Sequence, residues 1–171
     1  LLAAHMGGWP ENLEFLTGLL TRHPNLVLDT SAAKWMIREL SRHSTAAMQS
    51  FFQTFRGRIL FGTDNVTMDD HLGTAAGEGR HASMVQKAAS PAEAFDLYAS
   101  RYAALRTLFE TDHVGESPIA DPDLAMEDPD TFGPLDAPTL AGKLLPREEL
   151  CGLYRDAAVT LASRLDSIVC A

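Results

Sequence analysis

Three apolar runs punctuate the first 64 residues, and each ends in a polar residue. Leu1-Leu2-Ala3-Ala4 leads into His5-Met6-Gly7-Gly8, Leu26-Val27-Leu28 into Asp29-Thr30-Ser31, and Arg58-Ile59-Leu60-Phe61 into Gly62-Thr63-Asp64. The runs do not alternate with polar residues, which marks strands buried on both faces. Between them the apolar spacing changes to that of a helix. Leu13, Leu16, Leu19 and Leu20 form one such stripe, and His23-Pro24-Asn25 ends it. Pro10 suits the start of that helix, where its missing N–H costs nothing. Residues 32–56 read as helical, with a break near Ser44, which can cap a second helix. Residues 1–64 therefore predict β-α-β-α-β, with strand spacing that fits successive βαβ units.

The pattern changes after Asp64. Residues 65–90 carry Gly73, Gly77 and Gly79 among Thr74, Glu78 and Ser83, with no period, and read as a long loop. Ser90-Pro91-Ala92-Glu93 is a helix start: Ser90 caps, Pro91 suits the first turn and Glu93 completes a capping box. Phe95, Tyr98, Tyr102, Leu105 and Phe109 mark the expected buried face of this helix, which ends near Asp112. Residues 113–142 hold five of the nine prolines and many acids, so no long regular element is expected there. They predict an extended surface segment, partly disordered or draped over the rest. Pro146 opens a last helix, with Leu150, Leu153, Tyr154, Ala157, Leu161 and Leu165 on one face. The chain thus divides into an α/β part (1–112), an acidic, proline-rich extended segment (113–145) and a terminal helix that packs on the first part (146–171).

Composition narrows this picture. The 171 residues, 46% apolar and 22% charged, are enough for a globular core. No apolar run reaches the roughly 18 residues of a membrane span, and no basic n-region or cleavage site marks a signal peptide. The chain opens on a strand without an initiator Met, so a truncated parent is expected. The net charge of −9 divides into +2 over residues 1–60 and −11 over residues 61–171. An acidic half without a basic stripe argues against nucleic acid or an anionic membrane as partner and is otherwise a matter of solubility. Cys151 and Cys170 lack neighbours at zinc-finger spacing. A continuous helix would hold them roughly 28 Å apart at about 1.5 Å per residue. Reduced thiols of a cytoplasmic protein are the expectation.

The strand-end residues carry the candidate chemistry. Asp64, with Gly62 giving the backbone room, suits a divalent metal or the proton of a metal-bound water; it equally suits a cap of the following loop or helix. His5 can be a metal ligand, a general acid/base or a buried His bonded to backbone, and Gly7-Gly8 permits close approach of a ligand or neighbouring backbone. Asp29 can orient a catalytic His, although Asp29-Thr30-Ser31 reads more readily as a cap of the next helix. Trp9 lines a substrate pocket or simply packs. Arg101 and Arg106 can bind a substrate carboxylate, with salt bridges to the acidic segment as the favoured use. His71, beside Asp69 and Asp70, reads as a surface loop residue. His23, His43, His81 and His113 read as surface or helix-end residues. The sequence contains no G-x-S-x-G elbow, P-loop, H-E-x-x-H or post-strand G-x-G-x-x-G, which disfavours the corresponding hydrolase, nucleotide, zincin and dinucleotide chemistries.

In order and spacing, His5-Met6-Gly7-Gly8-Trp9-Pro10, Asn25 to Ser31 and Arg58 to Asp64 resemble the last three strands of the amidohydrolase 2 family. These are metal-dependent TIM-barrel hydrolases and decarboxylases. Leu145 to Leu165 resembles the family's terminal helix. The resemblance implies a partial (β/α)8 barrel of about three β/α units. It implies that Asp64 is the strand-8 metal ligand and the base for the water proton. It implies that His5 is the strand-6 histidine, which binds the metal or acts on the substrate. The implied metal is zinc, sometimes manganese, and the implied substrate a small organic molecule, for which Trp9 and Arg101 are the candidate binding residues. The family's His-x-His has no counterpart here, and its strand-5 ligand would lie before residue 1. The expectation is therefore the C-terminal fragment of such an enzyme, inactive alone. The alternative is a non-catalytic half-barrel that associates with itself or another chain through its open edges.

Overall fold

The computed structural model describes residues 1–65, 90–133 and 135–169, with side chains up to residue 164. The three apolar runs pair as a parallel sheet in the order β1-β2-β3 (β1, Leu2–Ala3; β2, Val27–Asp29; β3, Ile59–Leu60). Leu2 faces Val27 and Ala3 faces Leu28 in one ladder; Leu28 faces Ile59 and Asp29 faces Leu60 in the other. All three strands therefore point their C-terminal ends the same way, and the polar residues that follow them share one edge of the sheet.

The connecting helices form where the spacing predicts them. A single turn, α1 (Ala4–Gly7), follows β1, and α2 (Leu13–Arg22) buries Leu16 and Leu20. The cap of α2 is Asn12, which accepts from the Phe15 N–H at 2.9 Å. Pro10 lies upstream of the helix, and its carbonyl accepts from His43 Nε2 at 2.9 Å. The predicted break is real: α3 (Ala33–Arg42) and α4 (Thr45–Thr54) are separated by His43 and Ser44, and Ser44 Oγ accepts from the Ala47 N–H. Met36, Ile37 and Leu40 of α3 meet Phe51, Phe52 and Phe55 of the α4 region in the main core.

Ser90 caps α5 (Pro91–Glu110) by accepting from the Glu93 N–H at 3.2 Å. The face that α5 buries differs from the expected stripe. Ala104, Leu105, Leu108 and Phe109 are buried, whereas Phe95 is 71% and Tyr102 47% exposed. Burial follows the C-terminal half of the helix, where the segment 142–145 crosses it: Lys143 N–H donates to the Leu108 carbonyl and Leu145 N–H to that of Phe109.

The acidic segment is more ordered than an extended surface strand. It contains the antiparallel pair β4 (Val114–Glu116) and β5 (Thr139–Ala141), with the short helix α6 (Asp123–Glu127) between them. Its anchors are buried: Ile119, Asp121, Leu124 and Leu140 are at most 6% exposed. At Gly142 a Cβ would stand 2.2 Å from the Thr111 carbonyl oxygen, so only glycine lets the segment pass there. Lys143, also buried, donates to the carbonyls of Ser41 and His43 at 2.9 and 2.6 Å. Burial lowers its pKa.

The terminal helix is interrupted. After α7 (Arg147–Cys151), residues Gly152–Asp156 widen into a π turn before α8 (Ala157–Val169). The Leu153 carbonyl accepts from the Phe61 N–H at 3.1 Å, so this turn covers the outer side of β3. The opposite edge, at β1, pairs with β2 alone among the described residues, and Leu1 and Leu2 on it are 87% and 47% exposed. Cys151 is a free, exposed thiol, and Cys170 lies outside the described residues. No described helix is long and apolar enough to cross a membrane.

Candidate functional site

Each strand of the sheet is followed by a residue in the left-handed backbone region. His5 (φ 55°) and Met6 (φ 52°) follow β1, Ala32 (φ 66°) follows β2, and Asp64 (φ 57°) follows β3. Among the described residues the only other non-glycine case is Leu144. A left-handed L-residue costs about 1–2 kcal/mol, less for Asp, whose short polar side chain tolerates the region. Such strain persists where surrounding structure enforces it, and it gathers at functional sites. Here Met6 is fully buried and anchors the first of these turns in the core.

The turn after β1 brings His5 to the end of β2. The His5 backbone N–H donates to Asp29 Oδ1 at 2.9 Å. Its ring Nδ1 lies 2.8 Å from Ser31 Oγ. Ser31 donates both its N–H (3.0 Å) and its hydroxyl to the same Asp29 oxygen. Asp29 Oδ1 thus gathers a backbone N–H from each of two strand ends and the Ser31 hydroxyl. Asp29 does not cap α3, whose N-cap residue is Ala32 with no side-chain bond. The expected cap of α3 at Asp29-Thr30-Ser31 is not formed: Asp29 meets the His5 backbone N–H and reaches the His5 ring only through Ser31. The contact of Ser31 with the His5 ring has no signal in the sequence beyond the Asp-x-Ser spacing, which a cap shares.

The β2 and β3 ends are tied together in a similar way. The Gly62 N–H donates to Thr30 Oγ1 at 3.1 Å, and Thr30 Oγ1 donates to the Gly62 carbonyl at 3.3 Å. A Cβ on Gly62 would come within 3.2 Å of Ser31 Cβ, so a glycine here lets the two strand ends approach. Asp64 follows, exposed, with no hydrogen-bond or ion-pair partner among the described residues. It lies beyond β3, two strands across the sheet from the β1 end that carries His5.

The other predicted residues surround this edge loosely. Asn65, next to Asp64, accepts from Arg101 Nη1 at 3.2 Å, and Arg101 also lies 5.8 Å from the Tyr98 ring centroid. Arg101 therefore does not bridge to the acidic segment among the described residues, and Arg106 pairs with Glu110 of its own helix. Arg38 engages the acidic segment instead, through Asp121 at 2.7 Å and Glu127 at 3.3 Å. Lys34, in the first turn of α3, has its pKa lowered by burial and then by the neighbouring Arg101 charge. Trp9 is 43% exposed and packs its ring 4.9 Å from that of Phe15. His23 and His113 are exposed, as expected. Asp69, Asp70, His71 and His81 lie outside the described residues.

No group of three or more His, Cys, Asp or Glu that could hold a metal is found among the described residues. Comparison with family models, curated proteins and solved structures gives no match to the chain.

Proposed function

We propose that the three strand ends are part of the active site of a metal-dependent enzyme of the amidohydrolase type, built on a partial (β/α)8 barrel. It would act on a small organic substrate by hydrolysis or decarboxylation. One observation carries the reading. His5 follows β1, Asp29 ends β2 and Asp64 follows β3, on three adjacent parallel strands and on the edge where the left-handed backbone is concentrated. Catalytic groups of parallel α/β folds gather at the C-terminal ends of the strands.

The donor set fits a zinc or manganese ion in kind. Imidazole and carboxylate are both suitable ligands. It accounts for two ligands, one fewer than the three protein ligands of a catalytic zinc. A divalent metal held there would supply a water of lowered pKa or polarise a substrate oxygen. Asp64 would hold the ion and take up a proton at its carboxylate. His5 would hold the ion or contact the substrate. Trp9 offers an apolar wall, and Arg101, whose described polar partner is neutral, offers a cation to a substrate carboxylate.

Equilibrium dialysis of the 171-residue chain against zinc tests this. The expected result for a site with two of its three ligands is weak binding that is lost in Asp64→Asn and in His5→Asn, whereas tight binding of one ion per chain would mean that association completes the site or that the fragment reading is wrong. Equal binding by the folded wild type and both variants would sink the proposal. The exposed β1 edge, with Leu1 and Leu2, favours a second reading: a non-catalytic half-barrel that associates through that edge with another chain. Sedimentation over a range of concentrations separates the two, since only the second requires a rise in mass without metal.

A further inference from the structure

The contacts of Ser31 decide which nitrogen of His5 is available for chemistry. A carboxylate offers acceptors only, and a serine hydroxyl has a single proton. Ser31 Oγ is in direct contact with Asp29 Oδ1. Of these two oxygens only Ser31 Oγ carries a hydrogen, so Ser31 is the donor of this bond. Its hydroxyl proton is therefore committed to Asp29. Only lone pairs remain on Ser31 Oγ to meet His5 Nδ1, 2.8 Å away. The proton of that second bond must come from the ring, because which ring nitrogen is protonated is set by the bond it makes.

We infer that Ser31, oriented by Asp29, fixes the neutral His5 ring in its Nδ1–H form and leaves the lone pair on Nε2. Ser31 and Asp29 are then positioning residues. They hold the ring through Nδ1 and present Nε2 as the atom that binds a metal or takes a proton. If Nε2 takes a proton, the ring becomes imidazolium with both nitrogens protonated. The Nδ1–H stays on Ser31, and the Ser31 hydroxyl stays on Asp29. No proton has to pass along the chain of bonds, and the Asp29 charge faces the new positive charge through one hydroxyl. The same carboxylate oxygen also receives the His5 backbone N–H, so it fixes the residue at two points.

This deepens the metal-enzyme reading, on which its catalytic meaning rests, but its test needs no metal. Long-range nitrogen–proton NMR on the 15N-labelled, metal-free chain, with the His5 ring neutral, identifies the protonated nitrogen directly. In wild type Nδ1 is expected to be the protonated nitrogen and Nε2 the bare one. Ser31→Ala removes the acceptor and should move the ring toward Nε2–H, changing the tautomer ratio roughly tenfold, the worth of one hydrogen bond. Ser31→Thr, which keeps a hydroxyl, should retain the Nδ1–H form. An Nε2–H ring in wild type overturns the inference, whatever the variants do. An unchanged tautomer in folded Ser31→Ala overturns the role of Ser31. If the tautomer result holds while zinc fails to bind, the metal reading falls and this one stands. Zinc binding to a wild type with an Nε2–H ring would have the opposite meaning.

Discussion

Two polar clusters meet helix α3, one just ahead of its N-terminus and one in its middle, and they spend their hydrogen-bonding capacity differently. In the middle of the helix, Arg38 is 7% exposed and each of its three side-chain nitrogens faces a carboxylate. Nε meets Glu39 at 2.8 Å, Nη1 meets Asp121 at 2.7 Å and Nη2 meets Glu127 at 3.3 Å. Arg42 takes the other Glu39 oxygen at 2.7 Å. At the N-terminus, His5, Asp29 and Ser31 use one ring nitrogen, one carboxylate oxygen and one hydroxyl, with His5 and the exposed Asp64 on left-handed backbone. The first cluster is closed and ties the acidic segment to the helix. The second leaves acceptors open. A closed buried network is a structural device, whereas unspent polar capacity held by strained backbone is what a binding or reacting site requires.

Breaking the closed cluster should have the largest effect. Asp121→Ala removes one of the three carboxylates around buried Arg38 and is expected to cost about 2–3 kcal/mol, read as a lower urea midpoint. The double change Arg38→Met with Asp121→Leu should recover most of that loss, since apolar replacement of a buried pair is often neutral. If the single variant were as stable as wild type, the contrast between the clusters would disappear. Next in size is Gly142→Ala, where a backbone oxygen blocks the new methyl group; overpacking of this kind costs about 1–3 kcal/mol.

Changes at the open cluster should cost little stability. Ser31→Ala is expected to lower it by about 1 kcal/mol. Asp64→Gly should raise stability by up to about 1 kcal/mol, because glycine relieves the left-handed backbone and no described partner is lost. The same variant should lose zinc affinity, so a gain in melting temperature with a loss of binding would mark Asp64 as kept for function. A destabilised Asp64→Gly would instead mean that its carboxylate holds the loop.

An exposed ion pair supplies the lower end of the scale. The hydrogen bond from Arg106, at 2.7 Å, holds the Glu110 carboxyl below its ordinary 4.5. A depressed carboxyl stabilises the fold above its unfolded pKa, and that contribution is lost as pH falls through the folded value. An NMR titration of Glu110 should move back toward 4.5 in Arg106→Ala, with little change in stability, because the pair is solvent-screened.

Local signals made much of the frame legible. Ser44 and Ser90 cap the helices they were expected to cap, because capping is decided within three residues. The three strands pair in the order in which their apolar runs occur. The buried face of α5 was legible only in part. Periodicity gives the face of a helix but not the length over which a neighbour covers it, so Leu105 and Phe109 are buried while Phe95 is not. The π turn at Gly152–Asp156 left no mark in the spacing of leucines, and its use, a carbonyl offered to β3, is a tertiary one.

The site follows the same division. By itself the sequence determined that polar residues stand at or just beyond the ends of apolar strands, since apolar runs and their ends are local patterns; it did not determine that β1 is an open edge with Leu2 half exposed. It also determined the left-over charge of the second half. Only the tertiary structure decided which of those polar groups meet. Ser31 finds His5 across 26 positions of sequence, and Arg38 finds Asp121 across 83, because strand pairing and segment docking bring distant backbone together. A cap and an orienting carboxylate read alike in sequence at Asp29. They differ in which N–H groups the carboxylate oxygen reaches, and the parallel pairing of β1 with β2 puts His5 within that reach.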